Sequence, residues 1–247
     1  MPLDGPAFYD DAEVFATYMR SRERDEAPND TLEWPDFQDL IGAVAGRRVL
    51  DLGCGDARTG RALLAAGAAS YLGLEPSANM AQAARDTLAG TVGTVAQATI
   101  EGWGYPTAAF DLVISRLALH YVEDAATAFR HVFDALVPGG RFVFSVEHPV
   151  ITSCDRAYPT GSQRQGWIVD DYHVQGARVT TWLGGEVVKY HRTVEAYVGA
   201  LLNAGFTLEA LREATPRREA FLREETYQRR LRIPLFLLAA GRKAGQT

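Results

Sequence analysis

VLDLGCGDARTG, residues 49–60, decides how this chain is read. An apolar strand runs into a glycine-rich turn, and a helix follows. That is how a nucleotide-binding crossover begins. In an open parallel sheet, ligands bind at the carboxyl ends of the strands, near the topological switch point. Gly53 and Gly55 let backbone approach a ligand closely. The next strand, YLGLE (71–75), ends in Glu75, 20 residues beyond Gly55. A carboxylate there can accept hydrogen bonds from both ribose hydroxyls. In the dinucleotide pattern G-x-G-x-x-G the third small residue opens the helix N-terminus to a pyrophosphate. Counted from Gly53, that position is Arg58. The ribose partner is present and a bulky arginine fits a pyrophosphate site poorly, so a nucleoside without phosphates fits better.

Outward from this turn, strands alternate with helices. Residues 47–53, 70–75, 94–98, 110–119 and 141–148 read as strands. Residues 57–67, 77–90 and 123–140 read as helices, with Ser77 as an N-cap and Pro138-Gly139-Gly140 as a stop. This alternation implies a parallel sheet covered on both faces. Residues 149–193 break the rhythm: GARVTTWLGGEVVKYHR (176–192) is a hairpin signal around Gly184-Gly185. Thr193 then caps a helix over 194–205, and 206–216 and 231–241 close the chain as an antiparallel edge pair. Before the first strand, residues 11–24 form an amphipathic helix with Val14, Phe15, Tyr18 and Met19 on one face. A short helix covers 36–44. The expected organisation is an N-terminal helical lid (1–45), a nucleoside-binding core (46–148), a substrate cap (149–193) and the remainder of the core (194–247).

The chain has 247 residues, 47% of them hydrophobic, and a net charge of -6. That length suits one large α/β domain, and the acidic balance argues against a nucleic-acid partner. Only Lys189 and Lys243 are lysines. Two cysteines, Cys54 and Cys154, give neither a disulfide framework nor metal-ligand spacing, so a reducing cytoplasm and no metal are expected. No signal peptide and no membrane span are expected: the late apolar run 233–240 is broken by Pro234.

VLDLGCGDARTG combined with YLGLEPSANM (71–80), FDLVISRLALHYV (110–122), LVPGGRFVFSVEHP (136–149) and YHRT (190–193) resembles the class I S-adenosylmethionine-dependent methyltransferases. The likeness runs toward the small-molecule members related to the ubiquinone/menaquinone type. The resemblance implies a Rossmann-like α/β fold: a seven-stranded, mostly parallel sheet with a reversed edge strand. It implies S-adenosylmethionine as cofactor and an O, N or C atom of a small molecule as methyl acceptor, with aromatic and heterocyclic molecules among the candidates. The partner expected is thus a small-molecule substrate; the chain itself would be a monomer or homodimer. The family's first motif falls on Asp51, Gly53, Cys54 and Gly55, with Ala57 where its last glycine stands. Its ribose acid falls on Glu75, with Pro76 next and Met80 near the adenine. Ala98 departs from the family's adenine-contacting acid, which leaves Thr99 and Ile100 as candidates. Ser115 and Arg116 would lie beside the methionine moiety. Tyr18 would reach the cofactor from the lid, with Tyr9 toward the substrate.

His120 and Tyr121 follow the fourth strand, and Glu147 and His148 end the fifth, so both pairs can face one cleft. His120, His148 and Tyr121 are the catalytic candidates. Either histidine could instead hydrogen-bond a loop and never titrate. Glu147, Trp167, Trp182 and His191 are substrate-contact candidates, with a hinge or cap role as the rival for His191. Cys54 reads as a small apolar filler. Two rival functions remain: a nicotinamide-dependent oxidoreductase, disfavoured by Arg58, and a protein that binds S-adenosylmethionine without catalysis.

Overall fold

The computed structural model describes residues 2–22, 25–155 and 166–245; residues 156–165 of the expected cap lie outside them. Strands β1 (Arg48–Leu52), β2 (Ser70–Leu74), β3 (Thr94–Ala96), β4 (Phe110–Arg116) and β5 (Leu136–Glu147) are parallel. A hairpin, β6 (Gly176–Trp182) and β7 (Gly185–His191), forms its own two-stranded sheet. The chain then returns as β8 (Thr207–Glu213) and β9 (Phe236–Arg242), and the main sheet has the order β3-β2-β1-β4-β5-β9-β8. The sheet is thus seven-stranded and mostly parallel. The reversed strand is β9, antiparallel to β5 on one side and to β8 on the other, so it is the inner member of the edge pair.

Both faces of the strands are apolar, as a sheet covered on two sides requires. Leu50, Leu52 and Val113 pack with Phe129 and Val132 of one helix, over Phe142 and Phe144. Their neighbours Val49, Leu112 and Ile114 point the other way, onto Phe37, Leu40, Leu63 and Leu88. The strand order reverses between β1 and β4. The turn after β1 therefore opens at the switch point, where the quoted motif sits.

The N-terminal segment is two helices rather than one: α1 (Gly5–Asp10) and α2 (Ala12–Ser21). Asp11 breaks them with an extended backbone, and its carboxylate accepts from the N–H groups of Glu13 and Val14. A π-helical turn, Asn29–Glu33, then runs into α3 (Trp34–Ile41). Helices α4 (Arg58–Ala65) and α5 (Ala78–Leu88) follow β1 and β2, and α5 is capped by Ser77 as expected. Helix α6 (Ala125–Ala135) ends before the Pro-Gly-Gly stop. Leu136 is fully buried and pairs with Phe110, so 136–140 join β5 through a register shift instead of prolonging the helix. A short α7 (Pro149–Thr152) follows β5; α8 (Val194–Asn203) precedes β8; α9 (Glu224–Arg230) occupies the connection to β9.

The hairpin turn is Leu183-Gly184, both at positive φ, which suits a two-residue connection. Gly185 lies under Phe8: a Cβ there would stand 2.9 Å from the ring. Leu3 bridges Val187, with Leu3 N–H donating to Glu186 and Val188 N–H donating to Leu3. Helix α1 and the hairpin thus form one roof over the carboxyl ends of β1 and β4.

Candidate functional site

Beneath this roof lies a cavity of about 630 Å³, within the range of roughly 300–1,000 Å³ for small-molecule sites. Its floor is the turn after β1. Gly53 has φ +71 and touches Ala118, where a Cβ would come within 2.4 Å. Gly55 has φ +55, and a Cβ there would meet nothing within 4 Å, because that backbone faces open space. Ala57 holds φ 54 as the residue preceding α4, a left-handed conformation that favours glycine. It keeps the turn, and its methyl is fully buried. Arg58 turns aside to pair with Asp56 at 3.0 Å. The close approach of helix to strand comes from Gly60 instead, where a Cβ would stand 2.2 Å from the Tyr71 ring.

Two buried carboxylates face this floor. Glu75 accepts from Gly55 N–H at 2.9 Å and Ser77 N–H at 3.0 Å. Burial pushes it up to about 7 despite those two donors. Asp51 accepts from the Tyr71 hydroxyl at 2.6 Å, and burial raises it to about 7 as well. Its Oδ1 has no hydrogen-bond partner among the described residues. Pro76, Met80, Thr99 and Ile100 continue the wall on this side.

Arg116, at the end of β4, lines the same end. Its Nε donates to Glu33 at 2.6 Å, and its guanidinium lies 4.7 Å from the Trp34 ring. Glu33 is fully buried and also accepts from the Ser145 hydroxyl; burial raises it, opposed by Arg116. Tyr18 and Arg22 close this end from α2.

The far end is aromatic and acidic. Tyr9 meets Tyr121 through their hydroxyls at 3.3 Å and packs edge-on against Tyr18, ring centroids 5.2 Å apart. Glu147 ends β5 and pairs with Lys189 of β7 at 2.6 Å. Lys189 is buried, with Nζ 5.7 Å from the Tyr121 ring and 5.4 Å from the Trp182 ring. Burial alone would raise Glu147, but Lys189 and His120 outweigh it and its pKa is lowered. Burial drives His120 down to about 4, so it is neutral. Its Nδ1 accepts from Glu147 N–H at 3.5 Å, which leaves the ring hydrogen on Nε2.

Most of the residues singled out by sequence meet here: Tyr9, Tyr18, Asp51, Gly53, Cys54, Gly55, Glu75, Pro76, Met80, Thr99, Ile100, Arg116, His120, Tyr121, Glu147 and Trp182 all line the cavity. Four do not. Ser115 is fully buried and donates to the Leu52 carbonyl across the sheet. His148 turns away because Pro149 starts α7: its Nδ1 caps Val150 N–H and its Nε2 meets Glu213 at 2.9 Å. His191 bonds Thr152 and the Tyr172 carbonyl, anchoring the hairpin to the core. Trp167 lies outside the lining. Glu33, Tyr71 and Lys189 were missed. Lys189 carried a signal: it is one of two lysines and sits within the apolar strand EVVKYH.

Asp10 was missed too. Its Oδ1 accepts from Ser77 Oγ at 2.7 Å and Asn79 N–H at 3.2 Å, which ties α1 to the N-terminus of α5.

Comparison with known proteins agrees with this architecture. Residues 50–144 match the family model described as a methyltransferase domain. A crystal structure of an S-adenosylmethionine-dependent methyltransferase from Mesorhizobium loti is 40% identical, covers 85% of this chain and 97% of its own, and superposes with a TM-score of 0.79. This chain belongs to the S-adenosylmethionine-dependent methyltransferases. Its cofactor is S-adenosylmethionine. Among curated relatives, an uncharacterised protein of Haemophilus influenzae is 28% identical over 216 residues, covering 83% of this chain and 85% of that one. The ubiquinone/menaquinone biosynthesis C-methyltransferase of Yersinia pestis is 29% identical over 181 residues, covering 70% and 72%. In this methyltransferase, no helix among the described residues is long and apolar enough to cross a membrane. No group of three or more potential metal ligands occurs among them either.

Proposed function

We propose that this methyltransferase acts on a small molecule, with the cofactor over the β1 turn and the acceptor under the roof at the Tyr121 end. The carrying observation is the continuity of the cavity. One end offers buried carboxylates and bare glycine backbone; the other offers aromatic rings and a buried ion pair.

The residues present fit the cofactor. When bound, S-adenosylmethionine supplies a methyl group on a sulfonium sulfur. Glu75 would accept from the ribose hydroxyls, since each of its oxygens spends one lone pair on backbone and keeps another. Asp51 Oδ1, buried without a hydrogen-bond partner among the described residues, would accept from the cofactor's ammonium group. Arg116, fixed by Glu33, would meet its carboxylate. Met80, Thr99 and Ile100 would flank the adenine, and Tyr18 would cover the cofactor from α2.

The remaining residues orient the acceptor and exclude water. Tyr9, Tyr121 and Trp182 give it apolar walls. His120 Nε2–H would donate to it and Glu147 would accept from it. Alignment of nucleophile, methyl and sulfur is where such a site gains rate, since well-oriented reactions gain up to ~7–11 kcal/mol.

Calorimetry with S-adenosylhomocysteine and the Glu75→Ala variant tests the placement. Loss of most affinity with the melting temperature held is expected. Unchanged affinity refutes it.

A further inference from the structure

We propose that the atom methylated is a nitrogen, of an amine or a nitrogen heterocycle, seated against Oε2 of the Glu147 carboxylate on the cavity side of the buried Lys189. The proposal rests on the small-molecule reading above and narrows it.

Carboxylates line both ends of the cavity, but its arginines are confined to one. Both lining arginines, Arg22 and Arg116, stand at the cofactor end, beside Tyr18, Asp30 and Glu33. At the Tyr121 end the lining charges are Asp4, Glu123, Asp124 and Glu147; Asp4 and Asp124 cap α1 and α6, and Glu147 is the least exposed of the four. Two cations stand behind that wall without lining the cavity, and Lys189 already balances the charge of Glu147 at 2.6 Å. Lys189 points at Glu147, and Arg192 donates to the carbonyls of Val122 and Glu123. Tyr9, Tyr121, Trp182 and Tyr190 supply ring faces. Rings and carboxylates together attract a cation or a group becoming one. They repel a phenolate or an enolate.

The chemistry points the same way. A neutral nitrogen, either an alkylammonium that has first lost its proton to water or a heterocyclic nitrogen that carries none, attacks with its lone pair. The new C–N bond forms as the carbon–sulfur bond breaks, and the sulfur keeps that pair. The positive charge passes from sulfur to nitrogen, and an amine then releases one proton to water. Glu147 is held ionised by Lys189, so it stabilises the ammonium as it forms. A hydroxyl acceptor would instead need a base. Neither group at hand suits: Glu147 is kept below the usual carboxylate range, and His120 is near 4, against about 10 for a phenol. Glu147 Oε1 is engaged by Lys189, and among the described residues no hydrogen bond to Oε2 is present, which leaves it for an N–H donor.

The test uses matched aromatic pairs, tryptamine against tryptophol and benzylamine against benzyl alcohol. Protein saturated with S-adenosylhomocysteine is titrated by calorimetry. The amines are expected to bind at least about tenfold tighter, a difference of about 1.4 kcal/mol. Glu147→Gln alone strands Lys189 and risks misfolding. The double variant Glu147→Gln/Lys189→Met removes both charges. It should keep cofactor affinity and lose the amine preference. Incubation with S-adenosylmethionine should then place any added methyl on nitrogen by mass spectrometry. Equal or tighter binding of the alcohols, no binding of either class, or a methyl on oxygen or carbon overturns the proposal. Loss of cofactor binding by the unmodified protein would instead sink the underlying placement, so the two failures are distinct.

Discussion

Lowering the pH from 8 to 6 should weaken cofactor binding through the two buried carboxylates beneath it. Glu75 and Asp51 are almost fully buried, and burial raises each to about 7. Ribose hydroxyls and an ammonium group are donors, so they bind the ionised forms. A group with pKa 7 is ionised in about ten of eleven molecules at pH 8 and about one of eleven at pH 6, a roughly tenfold loss in affinity for each carboxylate that must ionise. Glu75→Gln removes one of these groups and should flatten the profile by that factor. The cofactor's own α-amino group also titrates near pH 8. Comparing wild type and variant in the same buffers cancels that contribution. Titrations at pH 6, 7 and 8, in buffers of two ionisation enthalpies, also count the protons released on binding. The stability sign follows from the same shifts. An acid whose folded pKa is raised binds its proton more tightly folded than unfolded. The cofactor-free protein therefore loses stability as pH climbs from about 4 through about 7, and the ligand restores it. Parallel pH profiles for wild type and Glu75→Gln would refute the reasoning.

His120→Ala should cut turnover and leave cofactor affinity intact, whereas His148→Ala should cost about 1 kcal/mol of stability through its lost cap and keep turnover; equal loss of turnover in both contradicts the cavity boundary. Glu33→Ala leaves Arg116 without its buried partner and should destabilise by about 3–5 kcal/mol, read by urea unfolding. Ala57→Gly relieves a left-handed alanine worth about 1–2 kcal/mol, but loses a buried methyl worth about 0.8 and adds unfolded-chain entropy worth about 0.4–1. It should therefore shift stability by under about 1 kcal/mol; a larger loss contradicts the turn geometry. Asp10→Ala frees α1 from α5 and should speed amide exchange in residues 5–10 while leaving β1 and β4 protected.

The cofactor end of the site was legible because its parts are close in sequence. Gly53, Gly55 and Glu75 belong to one crossover, so spacing brings them together, and the family resemblance adds Asp51. The sheet was legible for a related reason: β1, β4 and β5 are apolar on both faces, which only a covered parallel sheet explains. The rest depends on contacts between distant segments. Asp10 reaches Ser77 across 67 residues, and Arg116 reaches Glu33 across 83. Nothing in either local stretch announces its partner. His148 shows the opposite limit. Its place at a strand end was readable, but its direction was set by Pro149, whose helix the ring caps. Helix α2 was readable from Asp11 onward, but α1 before it was not, because its six residues are too few to show a period. The left-handed backbone at Ala57 shows why a motif departure need not change a turn: the conformation is kept and alanine bears the strain.

The most direct test of the account is a crystal structure with S-adenosylhomocysteine. The account predicts the ribose hydroxyls on the Glu75 carboxylate, the amino-acid end between Asp51 and Arg116, and the sulfur facing the chamber of His120, Tyr121 and Glu147. A ribose away from Glu75, or a sulfur turned from that chamber, would contradict it.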